Sequence, residues 1–163
     1  MAAACAPAAK PTVKASASST TAPKVATSAA IPTAPKATLA LGLGQQIGNL
    51  KITPGPETVM PAVGTDRPMT GDVVLSFNVT IENVSKSESV VFDPLKVMVT
   101  GPGAVNTYPL TIIKGAKDEL SGQTLKPGTS ASGVLIFEVP EKHSGFELMF
   151  ENEANHVRWT VGA

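Results

Sequence analysis

The chain has 163 residues, with 13 basic and 13 acidic side chains and only five Phe, one Trp and one Tyr. The zero formal charge argues against nucleic-acid binding, which usually needs a basic excess. A single cysteine excludes an intramolecular disulfide, and with only two histidines the usual four-ligand zinc site is nearly excluded too.

The first 36 residues differ in composition from the rest of the chain. They contain 13 Ala, 5 Pro, 9 Ser or Thr and 4 Lys, with no acidic, aromatic or glycine residue. So few large apolar side chains cannot offset a backbone entropy cost of about 1–2 kcal/mol per residue. We therefore expect residues 1–36 to form a disordered tether and residues 37–163 to form the folded domain. An Ala-rich helix over 1–36 is the alternative, which the five prolines disfavour.

The only cysteine follows three alanines, an arrangement typical of bacterial lipoproteins, in which small residues precede a lipidated Cys. The leucine usually found three residues before the Cys is replaced by Ala2, and the basic and apolar regions of a signal peptide are absent from this sequence. We expect Cys5 to be a lipidation site in a chain whose signal was removed or lies upstream. A stray cysteine in an Ala-rich stretch is the alternative.

Alternating apolar and polar residues predict short strands throughout 37–163. The clearest run is 73–82, where every second residue is apolar. Its predicted core face consists of Val73, Leu75, Phe77, Val79 and Ile81. Other candidate strands are 38–43, 50–53, 95–99, 108–112, 134–139, 146–150 and 157–161. About eight short strands separated by Gly, Pro and polar turns predict an all-β fold, an antiparallel immunoglobulin-like β-sandwich.

Several of these segments, taken together, resemble the sequence pattern of a known protein family. They are 77–83 (FNVTIEN), 125–128 (LKPG), 133–140 (GVLIFEVP) with 145–148 (GFEL), and 48–53 (GNLKIT). The set resembles a bacterial cell-surface family with one immunoglobulin-like, telokin-like domain of unknown function, which includes secreted actinobacterial immunogenic proteins and lipoproteins. The resemblance implies an extracytoplasmic sandwich that is commonly lipid-anchored. It implies no catalytic or ligand-binding residue.

Few residues suggest catalysis. His143 and His156 are predicted to lie in solvated loops, and neither accompanies a recognisable nucleophile pattern. Acidic pairs such as Asp118 and Glu119 lack any pattern of glycosidase partners. We therefore expect no enzymatic activity and no cofactor.

Metal binding has weak support as well. Glu151, Glu153 and His156 have ligand chemistry suited to a divalent cation, but no spacing rule supports such a site. The methionines at 60, 69, 98 and 149 are scattered along the chain and predict no copper site. Our expectation is that the domain has no metal ligands.

These observations predict a non-enzymatic, extracytoplasmic interaction module on a lipid-anchored tether, with an envelope protein or a glycan as its partner. The edge strands of the sandwich are the expected docking place, because their backbone groups can accept another strand. A small-ligand or metal carrier using the 141–156 region is one alternative. A structural unit of a surface or virion assembly is another. Contact with a membrane is expected only through the lipid anchor, and contact with nucleic acid is not expected.

Overall fold

The structure, a computed structural model, describes residues 38–63, 67–112, 118–152 and 155–162. The tether predicted over 1–36, its Cys5, and Glu153 of the predicted cation site lie outside the described residues.

The described secondary structure consists of strands and two short 3-10 turns. The strands are β1 Leu39–Ala40, β2 Gln45–Ile47, β3 Leu50–Met60, β4 Asp72–Asn83, β5 Val90–Phe92, β6 Val97–Thr100, β7 Thr107–Pro109, β8 Gln123–Leu125, β9 Ser130–Pro140, β10 Phe146–Asn152 and β11 Asn155–Val161. The predicted all-β fold is confirmed, with eleven described strands in place of about eight.

The strands form a sandwich of two main sheets. One sheet has the order β2-β3-β4-β9, the other has the order β1-β11-β10-β6-β7, and β5 and β8 form a separate pair. A single core cluster contains residues of both main sheets, including Phe77, Phe137 and Trp159, each fully buried. The pairing is antiparallel except between β1 and β11, which run parallel. The interior is thus the apolar face of each sheet, as an immunoglobulin-like sandwich requires.

Strand β4 carries the core face that its alternating sequence predicts. Leu75, Phe77 and Ile81 are fully buried, whereas Asn78 is exposed on the opposite face. One residue departs from the simple alternation. Val74 points outward yet is buried, because it packs with Ile136 in a second, smaller apolar cluster.

Strand β3 is longer than the predicted strand over 50–53. It continues through Pro54 and Pro56 to Met60, with a shift of register against β4 between Pro54 and Glu57. The prolines are tolerated because β2 pairs only with Leu50–Ile52 and needs no donor farther along β3. Other predicted bounds shift too: the 38–43 strand shrinks to Leu39–Ala40, and the 108–112 strand ends at Pro109.

The side chain of Asn83 joins three segments in the interior. The residue is fully buried, at 0% exposure. Its Nδ2 donates to the carbonyls of Glu88 (2.7 Å) and Leu125 (3.0 Å), and its Oδ1 accepts from the backbone N of Ser85 (2.9 Å). Both amide donors and the acceptor are therefore satisfied, as burial of a polar group requires.

The backbone of Asn83 fastens the same region to the turn before β9. Its N–H donates to the carbonyl of Thr129 (2.9 Å), and its carbonyl accepts from the N–H of Gly128 (3.0 Å). Gly128 has a φ of 69°, which glycine adopts without strain. Two of the segments that carry the family resemblance, 77–83 and 125–128, thus meet at one buried asparagine.

The register of β4 makes a direct prediction for neighbouring residues. Replacing Phe77 by Ala should lower the free energy of unfolding by about 3–5 kcal/mol, because it empties a fully buried site. Asn78→Ala should cost well under about 1 kcal/mol, since that side chain is exposed. Urea titrations of the two variants measure both values, and equal losses would contradict the register.

Asn83→Ala tests the buried amide. The substitution leaves two carbonyls and one N–H without their partner, so we expect a loss of roughly 2–4 kcal/mol in the free energy of unfolding. Asn78→Ala, on the exposed face of the same strand, is the matched control. A loss at Asn83 no greater than the control, measured by the same titration, would show that the amide is not a structural junction.

Candidate interaction site

An apolar groove lies beside the β5–β8 pair. Its volume is about 410 Å³. One wall is the turn that follows β5, and the other is formed by the segment after β7 together with the segment before β8. The apolar lining residues are Pro94, Leu95, Leu110, Ile112 and Leu120.

Two large apolar side chains of the groove are open to solvent. Leu95 is 67% exposed and Ile112 is 73% exposed, whereas Leu120 is buried. The charged residues among the described lining are Asp93 and Glu119. Exposed apolar side chains around a concave surface are typical of a contact site rather than of an ordinary surface.

The exposure of Leu95 has a local cause. The Asp93 carboxylate accepts from the backbone N of Leu95 (3.0 Å), and Pro94 starts a 3-10 turn over Pro94–Lys96. The predicted strand over 95–99 is therefore wrong at its start, because β6 begins only at Val97. Val97 and Val99 are buried as predicted, but the capped turn takes Leu95 out of their row. The sequence does indicate this turn, because Asp93 and Pro94 directly precede Leu95.

The other wall is held against β9 by backbone hydrogen bonds. The N–H of Leu120 donates to the carbonyl of Val134 (2.9 Å), and the N–H of Val134 donates to the carbonyl of Asp118 (2.7 Å). This approach requires Gly133, since a Cβ there would lie 2.8 Å from the carbonyl oxygen of Asp118. The groove wall is therefore fixed by a glycine of the 133–140 segment.

The two histidines lie in different settings. His143 is in a loop as predicted, and its Nδ1 lies 2.9 Å from the carbonyl oxygen of Glu141. The loop prediction for His156 is wrong, because β11 begins at Asn155 and includes it. His156 lies opposite Glu151 of β10. Among the described residues, no three His, Cys, Asp or Glu side chains come together as a potential metal site.

The methionines are only partly scattered. Cross-strand register places Met98 of β6 directly opposite Met149 of β10, two residues far apart in the sequence. Met149 is 6% exposed, and the register places the two side chains on the same face of the sheet. Met69, by contrast, is 70% exposed.

The margins of the sheets differ in how they are covered. The outer edge of β9 is bonded by the N–H groups of Thr111 and Leu120, and β7 ends at Pro109. On β3, the pairing with β2 stops at Ile52, and the N–H of Gly42 then donates to the carbonyl of Pro54 (2.7 Å). Within the described ranges, no strand pairs with that side of β3 beyond Pro54.

None of the helical segments in the part of the chain that the structure describes has the length and apolar character needed to cross a bilayer.

Sequence comparison identifies the family. The domain family DUF4352, a domain of unknown function, matches residues 41–158, and the chain belongs to it. No curated protein sequence matches significantly.

Solved structures share the fold at low sequence identity. A secreted protein from Mycobacterium tuberculosis, MPT63, is similar with a TM-score of 0.61 and 18% identity, covering 78% of this chain and 99% of its own. The yjhA protein from Bacillus subtilis gives 0.60 and 16%, covering 76% and 99%. A proposed lipoprotein from the same species, ycdA, gives 0.59 and 17%, covering 72% of this chain and 38% of its own. The predicted resemblance to a sandwich family of unknown function is confirmed.

Proposed function

We propose that this chain is a non-enzymatic, extracytoplasmic interaction module that binds a partner protein in the apolar groove. The observation that carries the proposal is the exposure of Leu95 and Ile112 around a concave surface whose neighbouring wall is rigidly bonded to β9. Covering exposed apolar area of this kind with a complementary side chain lowers the free energy of the complex.

The lining favours a protein over a glycan. Sugar recognition depends on hydrogen-bonding groups and stacking aromatic rings, and the described lining contains no aromatic side chain. Its acidic residues, Asp93 and Glu119, favour a partner with an apolar anchor next to a basic group.

The extracytoplasmic location is supported by two similar structures, which belong to a secreted protein and to a proposed lipoprotein. In this proposal, residues 1–36 are a tether with four lysines, and Cys5 bears the lipid. A tether of that kind would let the domain reach partners away from the membrane surface. Stable anchoring would need more than one acyl chain.

Cys5→Ser tests the anchor. When the protein is expressed from its own gene in a bacterium fed an alkyne fatty acid, the unchanged chain should carry the label and sediment with membranes. Cys5→Ser should lose both, because the thiol is the acylation site, and Lys10→Ser is the matched control. An unlabelled parent chain, or a labelled Cys5→Ser variant, would contradict lipidation at Cys5.

Aspartate substitutions test the groove. A random peptide library displayed on phage is selected against the full chain, and enriched peptides are then titrated against Leu95→Asp and Ile112→Asp. We expect apolar peptides with a basic residue, and a loss of affinity of at least about tenfold in both variants, equal to roughly 1.4 kcal/mol.

Val105→Asp is the control, because Val105 is 82% exposed and lies outside the groove lining. All three variants should fold, since exposed positions tolerate substitution. Peptides that bind both groove variants unchanged, or that lose affinity equally in Val105→Asp, would exclude the groove as the docking site.

A further inference from the structure

The second half of β3 presents a strand edge that no other described strand covers. β2 pairs with Leu50–Ile52, Gly42 covers Pro54, and no described strand lies beside Glu57–Met60 on that side. An uncovered edge is a template for pairing, which β-proteins normally suppress.

Strand register shows which backbone groups of β3 point away from β4. In an antiparallel pair, successive residues direct their N–H and C=O groups alternately to the two neighbouring strands. Leu50 and Ile52 pair with β2, and the Pro54 carbonyl also points that way. After the register shift, Thr58 lies opposite Ser76 and Met60 lies opposite Val74. Ser76 and Val74 are separated from Thr80 by even numbers of residues, so all three direct their backbone groups to the same side of β4. Thr58 and Met60 therefore bond to β4, and the backbone groups of Glu57 and Val59 point to the open side.

The side chain of Glu57 borders a cavity, and Val59 shares its face of β3. Glu57 and Val59 lie opposite Phe77 and Leu75 of β4, so they share the inward face, yet Val59 is 51% exposed. A cavity of about 390 Å³ opens there, lined by Ala40, Leu41, Pro56, Glu57, Thr160 and Gly162. Side chains of an added strand that point inward would enter this cavity.

The charge at the edge specifies the occupant further. Glu57 accepts from the backbone N of Gly162 (2.8 Å), which fixes the carboxylate at the cavity. The ion pairs found among the described residues are Lys51–Glu82 and Arg158–Glu147. Glu57 takes part in neither of them. A basic side chain on the incoming strand would complement it.

Other margins lack this combination. β1 has two residues, β7 ends in a proline, and β9 is bonded by the 111 and 118–120 segments. Glu57–Met60 contains no lysine or proline, and the flanking Pro56 and Pro61 confine strand addition to these four residues.

We propose that Glu57–Met60 of β3 binds an extended segment of a partner protein as an additional strand. The segment pairs its backbone with Glu57 and Val59, places a basic side chain beside the Glu57 carboxylate, and inserts a small apolar side chain into the adjoining cavity. The site shares no lining residue with the apolar groove, so it does not depend on the function proposed there.

The test uses the full chain and a capped six-residue peptide as probe. The peptide has threonine at its odd positions and lysine, valine and lysine at its even positions. We expect binding with a Kd below about 1 mM, together with slower hydrogen exchange at the N–H groups of Glu57 and Val59. Replacing both lysines by glutamate should weaken binding at least about threefold, and Glu57→Gln should remove that discrimination while keeping the acceptor for Gly162.

Backbone pairing has its own signature. N-methylation of alternate peptide amides should abolish binding in one of the two possible sets and spare it in the other, because only one set faces β3. Val59→Pro removes the free N–H and should weaken binding at least about tenfold, whereas Val59→Thr should not. If Val59→Pro fails to fold, slower exchange of the Val59 N–H in the unchanged chain with bound peptide tests the backbone pairing instead. No binding up to about 1 mM, equal tolerance of both N-methylated sets, or protection confined to the apolar groove would overturn the proposal.

Discussion

One buried side chain, Asn83, ties the peripheral β5–β8 pair to the central strand β4. Its amide bonds the carbonyls of Glu88 and Leu125, just before β5 and at the end of β8. Both walls of the apolar groove continue from this pair: Asp93–Leu95 follow β5, and residues 119–122 precede β8. With no disulfide available, hydrogen bonds and packing alone hold the pair in place. The shape of the groove therefore depends on the hydrogen bonds of Asn83, which does not itself line the groove.

Several segments that carry the family resemblance have structural roles in this chain. The 77–83 strand ends at Asn83, the 125–128 turn bonds to it, and the 133–140 strand supplies Gly133 under the groove wall. Structures of the same fold are only 16–18% identical in sequence to this chain. The groove residues Leu95 and Ile112 and the β3 edge at Glu57–Met60 lie outside those segments. In both proposals, the partner contacts therefore lie apart from the segments that hold the sandwich together.

Local periodicity made much of the fold predictable. The core face of β4 was correct at Leu75, Phe77, Val79 and Ile81, because a period of two leaves little choice once one face is buried. The three-residue strands β5 and β8 are too short to show a period, and they exist through pairing with each other and through Asn83. Local periodicity also fails to predict the exposure of Leu95 and the neighbour of Met149. A side-chain cap decides the exposure of Leu95, and long-range register decides the neighbour of Met149.

The two proposed surfaces recognise different features of a partner. The groove contacts side chains, so its selectivity depends on the shape of Leu95, Ile112 and Leu120. The β3 edge contacts backbone, which every extended polypeptide offers, so its selectivity must come from Glu57 and the adjoining cavity. Backbone recognition without such a filter would favour pairing between copies of the domain. Residues 37–163 contain 9 basic and 13 acidic side chains, and a negative domain repels its own copies while attracting basic segments. In the proposed strand addition, the carboxylate that selects a basic strand therefore also opposes self-association at the Glu57–Met60 edge.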